Sequence, residues 1–77
     1  MIDMSEKQKF IKKLEAEQDA YAKRMREYMR RILEIHESEK LTVSAKDRLI
    51  KELDDILQYD LGKYKKIEKL IEDIILL

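Results

Sequence analysis

The residues able to do chemistry are few and far apart. His36 is the only histidine and cysteine is absent, which removes thiolate catalysis, disulfides and thiolate metal sites, and leaves the redox compartment unread. A metal site on a helix would need a second ligand one turn from His36, and Leu33 stands three residues before it. His36 therefore reads as structural, and its place near a helix end suits the helix dipole. Asp54-Asp55 and Glu72-Asp73 are adjacent acidic pairs, but helical neighbours point about 100° apart and cannot clasp one substrate. They read as solvated faces. No glycine-rich phosphate loop, nucleophile elbow or serine–histidine–acid set can be assembled. The expectation is a protein that is not an enzyme, with no catalytic residue, cofactor, metal or small-molecule substrate.

Charge is the next candidate. Lys23, Arg24, Arg26, Arg30 and Arg31 form a basic ridge, with Lys9 and Lys12 further up. Such a ridge could follow a phosphate backbone. In this the chain resembles, in architecture, the two-helix plasmid copy-control proteins of the Rop type, a resemblance that implies RNA or DNA binding. The plainer reading is a solvated face, because Glu27 and Glu34 interleave with these cations at helical spacing. Seventeen basic and seventeen acidic residues also give a net charge of zero. No aromatic is interleaved for base stacking, since Tyr21 and Tyr28 belong to an apolar seam.

Two shorter motifs stand out. Leu41-Thr42 followed by Glu52-Leu53-Asp54 resembles the small helical-hairpin phosphatases of sporulation response regulators, over about a fifth of the chain. That family's motif reads Ser-Gln-Glu-Leu-Asp, and Ile50 and Lys51 occupy the first two places here. The resemblance implies a role for Asp54. The tail, Glu72-Asp73-Ile74-Ile75-Leu76-Leu77, has the letters of an acidic-dileucine sorting signal, but Ile74 and Leu77 also continue a buried stripe.

These residues must be positioned by helices. Proline is absent, Gly62 is the only glycine and 44% of the 77 residues are charged, a composition of long helices or coiled coils. Ser5 with Gln8 has capping-box spacing, so helix 1 is expected over about 5–37. Within it, Ile11, Gln18, Met25 and Ile32 recur every seventh residue at position a, and Leu14, Tyr21, Tyr28 and Ile35 recur likewise at d. Periodicity lapses over 38–43, and Ser44 with Asp47 signals the start of helix 2, about 44–76. There Ile50, Leu57, Tyr64 and Ile71 hold a, while Leu53, Ile67 and Ile74 hold d, with Asp60 the single departure.

Both seams are widened. Ala22, Met29 and His36 add position e on helix 1, and Leu49, Ile56, Leu70 and Leu77 add position g on helix 2. Two matched helices, each roughly 50 Å long, predict an all-α antiparallel hairpin of coiled-coil type occupying residues 1–77 as a single domain. A chain this short builds a marginal core, and the widened stripes predict a homodimer, a four-helix bundle. The alternative is a three-helix bundle in which Gly62 ends a helix. Leu33 and Tyr59, at outer positions, are candidate contacts for another partner. The polar opening Met1-Ile2-Asp3-Met4-Ser5-Glu6 lacks the regions of a secretory signal, and no apolar run of about 18 residues could span a bilayer. The expected protein is thus a small cytoplasmic interaction or regulatory module with a protein partner.

Overall fold

The computed structural model describes residues 3–77 and contains two helices, α1 (Met4–Glu37) and α2 (Val43–Leu76), each of 34 residues. They fold back on each other as an antiparallel hairpin whose Cα envelope measures 59 × 14 × 10 Å. Three cross-hairpin contacts fix the register. Lys46 Nζ donates to the His36 carbonyl at 3.0 Å beside the loop, Arg24 reaches Asp60 midway, and Gln18 Nε2 donates to the Tyr64 carbonyl at 3.4 Å further out. Met1 and Ile2, the first residues of the polar N-terminal stretch, lie outside the described residues.

The helix starts differ from the sequence expectation. Asp3, not Ser5, occupies the N-cap of α1, with extended backbone and no side-chain capping bond, while its carbonyl accepts from Lys7 N at 2.9 Å. Ser5 lies inside the first turn, where Glu6 supplies the negative charge favoured at a helix N-terminus. At α2 the cap is Thr42, whose Oγ1 accepts from Ala45 N at 3.1 Å, so Ser44 is already helical. Thr42 wins because its hydroxyl reaches an otherwise orphaned donor in the first turn. The connection is correspondingly tight, and Ser38 Oγ accepts from Lys40 N at 3.3 Å within it.

α2 passes through Gly62 without a break, which rules out the three-helix arrangement. Gly62 has no positive φ, and a Cβ built on it would meet nothing within 4 Å. An interior glycine costs a helix about 1 kcal/mol, less than the seam packing on either side of it would lose in a turn.

The seam is where the two helices meet. Ile11, Leu14, Tyr21, Met25, Tyr28, Ile32 and Ile35 of α1 are all half-buried, as are Ile50, Leu53, Leu57, Tyr64, Ile71 and Ile74 of α2. Among the described residues, Ile67, 7% exposed, is the one fully buried hydrophobic side chain. Two helices can cover each other along one line only. A hairpin by itself therefore leaves the seam residues other than Asp60 and Ile67 with an open flank.

Candidate interaction face

No cluster of three metal-ligating side chains exists among the described residues. What the hairpin offers is two faces, and they differ. In an antiparallel pair the e positions of one helix adjoin the e positions of the other, and g adjoins g, because reversing the chain reverses the sense of rotation. The extra apolar residues of α1, at e, therefore lie on one face, and those of α2, at g, lie on the opposite face. One neighbour therefore cannot cover both stripes at full width.

On the e face an apolar groove of about 670 Å³ opens across the seam, lined by Met29, Ile32, Leu33 and His36 of α1 with Ile50 and Leu57 of α2, and Arg30 at its edge. Met29 is 58% exposed and Leu33 53%. Both helices contribute to its floor, so a side chain inserted from above would touch apolar atoms of each. Leu33, placed at an outer position by the heptad frame, belongs to this groove.

The opposite face is laced with charge. Arg24 Nε lies 3.2 Å from Asp60 Oδ2, spanning the seam from position g to position d. Glu27, at c, holds Arg30 at 2.9 Å and Arg31 at 3.7 Å, and Arg48 reaches Glu52, again at c, at 3.8 Å. Arg31 also covers the Tyr28 ring at 5.4 Å from its centroid. Every ion pair among the described residues has a member at c, g or d on this side, and none joins two residues at b and e. Leu49 and Ile56 show on this face, but from α2 alone, with charged α1 side chains across the seam from them.

Asp60 is the polar anomaly of the seam. Its side chain is 0% exposed, and neither carboxylate oxygen accepts a hydrogen bond from the described residues, the Arg24 Nε being close but out of line. A buried carboxylate in this condition depends on that one guanidinium for its compensation. The sequence marked Asp60 as a departure and Arg24 as a surface cation, and did not join them. Periodicity does not join them, because Arg24 lies 13 residues before the end of α1 and Asp60 17 after the start of α2, and the packing sets the register that brings them level.

The basic ridge is thereby divided. Lys23, Arg24, Arg26, Arg30 and Arg31 are all exposed, but Arg24, Arg30 and Arg31 are each engaged with a carboxylate. The Glu27 carboxylate raises the Arg30 pKa above its ordinary value, first through hydrogen bonds at 2.9 and 3.0 Å and then through its charge, with Glu34 adding to the effect. Lys23 and Arg26 have no ion pair among the described residues. Asp54 is exposed on the rim of the apolar groove, at position e, and Asp55 points away from it. Tyr59 is exposed on the opposite side with Lys63 Nζ 5.5 Å from its ring centroid.

At the open end of the hairpin, Ile74 is half-buried, but Leu77 is 64% exposed. Leu77 therefore does not extend the buried stripe. It lies past the last helical residue, where α1 offers only its own exposed first turn. No helix among the described residues is long and apolar enough to cross a membrane. Comparison with protein-family models, with curated proteins and with solved structures gave no match.

Proposed function

We propose that the protein is a small non-enzymatic interaction module that works as a homodimer of hairpins, a four-helix bundle whose outer surface engages a protein partner in the cytoplasm. The observation that carries this reading is the shortage of interior: among the described residues one hydrophobic side chain, Ile67, is fully buried, while a seam of half-buried apolar residues runs along both helices. Burial of apolar area is the main source of folding free energy, at about 25 cal/mol per Å², and a lone hairpin leaves much of that area wet. A second copy supplies the missing layer without new sequence. The basic ridge supports nucleic-acid binding less well, because three of its five cations already face carboxylates. The phosphatase resemblance is less well supported too, since Asp54 belongs to no cluster of three metal-ligating side chains among the described residues.

Sedimentation equilibrium at micromolar concentration tests this reading. A dimer of hairpins is expected, with stability rising with protein concentration as mass action requires. A stable, fully helical monomer would overturn it.

A further inference from the structure

The two faces of the hairpin are not equivalent, and charge on the rim of the open one says how it is covered. The groove is lined by Met29, Leu33, Ile50 and Leu57 and lies in the half of the hairpin nearest the loop. Its α1 rim carries Arg26 and Arg30, and its α2 rim carries Asp47 and Asp54 with Lys51 between them. By the register that the cross-hairpin contacts set, Asp54 stands level with Tyr28, midway in height between Arg26 and Arg30, and Asp47 stands level with His36. Arg26, Asp47 and Asp54 have no ion pair among the described residues.

We propose that the e-face groove is the seat of a second copy of this chain, the two hairpins stacking groove on groove with both loops at the same end of the bundle. The proposal rests on the homodimer reading above and specifies the face and direction that reading leaves open.

Two symmetric ways of stacking one hairpin on another through this face exist. A twofold axis along the hairpin places α1 over the partner's α2, loops together. A twofold axis across the hairpin places α1 over the partner's α1, loops at opposite ends. In the first arrangement the grooves coincide, so Met29 and Leu33 meet apolar side chains, and the partner's Asp54 arrives between Arg26 and Arg30. The partner's Asp47 arrives beside His36. In the second, Met29 and Leu33 fall against the distal half of the partner's α1, near its Lys12 and the polar first turns, and only Arg26 of the basic rim comes level with a carboxylate, the partner's Glu15. The first arrangement also makes every neighbouring pair of helices antiparallel, as in up-and-down bundles. An isologous interface must be complementary to itself, and a patch with Arg26 and Arg30 on one edge and Asp47 and Asp54 flanking Lys51 on the other meets that requirement through the two aspartates. The opposite face does not, because its α1 edge is already closed by internal ion pairs.

The chain has no cysteine, so a single Lys40→Cys substitution in the exposed loop gives one spin-label site per copy. Dipolar distance measurement on the full chain should give an intermolecular distance under about 30 Å, as interaxial spacings of 8–10 Å require for loops at one end. Loops at opposite ends would be separated by the helix length, roughly 50 Å. In parallel, Arg26→Glu should weaken self-association at least about tenfold, and adding Asp54→Arg in the same chain should restore it, the signature of paired charges across an interface. A dimer with the long distance, or one indifferent to the charge exchange, overturns this arrangement and leaves the homodimer reading standing. A monomer by sedimentation overturns both, and would mean that the groove takes some other occupant.

Discussion

The two faces of this hairpin are made from the same seam and behave as different surfaces. On the e face, Met29 and Leu33 stand exposed above Ile50 and Leu57, and no ion pair among the described residues bridges the helices. On the other, Arg24 crosses to Asp60, and Arg31 lies over Tyr28 while sharing Glu27 with Arg30. Burying the first face removes apolar surface from water at little cost. Burying the second would strip water from guanidinium and carboxylate groups whose mutual attraction recovers only part of that penalty. The difference is one of side-chain type at e and b against g and c, and it gives a two-layered design a preferred direction of growth.

The contrast can be broken most directly by loading each face with charge. The Met29→Asp, Leu33→Asp pair should abolish self-association, at least about a hundredfold loss by sedimentation, because it would bury four unpaired carboxylates per dimer. The matched Leu49→Lys, Ile56→Lys pair on the other face should leave association nearly unchanged. Equal effects from the two pairs would erase the distinction between the faces.

A smaller effect is expected in the seam both faces share. Leu53→Ala should lower stability to chemical unfolding by about 2 to 3 kcal/mol, the lower part of the range for leucine truncation because Leu53 is only half-buried in the hairpin. Unchanged stability would mean that position d of α2 is not where the helices meet.

Asp60 sharpens the contrast further. Replacing it by leucine should raise stability by about 1 to 3 kcal/mol, since a well-packed apolar residue relieves the burial of a charge. Arg24→Ala should cost about 1 to 2 kcal/mol by leaving that charge without its cation, a figure discounted for the exposure of Arg24. Loss of stability in Asp60→Leu would show that the pair holds the register and is more than a tolerated burial. Gly62→Ala gives the smallest effect, a gain of about 1 kcal/mol in thermal unfolding, because the position is helical, exposed and sterically open. A loss there would show that the glycine makes room for something.

Much of this was legible in the order of residues. A seven-residue apolar repeat imposes one line of contact on each helix whatever the partner, so the order of residues alone marks the seam from Ile11 to Ile35 and from Ile50 to Ile74 as facing inward. The caps were less legible. Ser5, Ser44, Asp3 and Thr42 are all competent caps, and the choice among neighbours depends on where the first turn can close with its partner helix in place. The tail was misleading for a related reason, since Leu77 keeps the period but has no partner helix left to touch.

What the sequence by itself determined is the helical pattern: no proline, one sterically neutral glycine and two matched heptad frames leave the chain few alternatives to a pair of long helices. Only the tertiary structure decided that α2 runs on through Gly62, that Arg24 compensates Asp60, and that Met29 and Leu33 of α1 open on one face while Leu49 and Ile56 of α2 open on the other. Each of these depends on direction. Periodicity along a chain is a scalar count, while sidedness appears only when a second helix runs the other way and reverses the sense in which its positions turn.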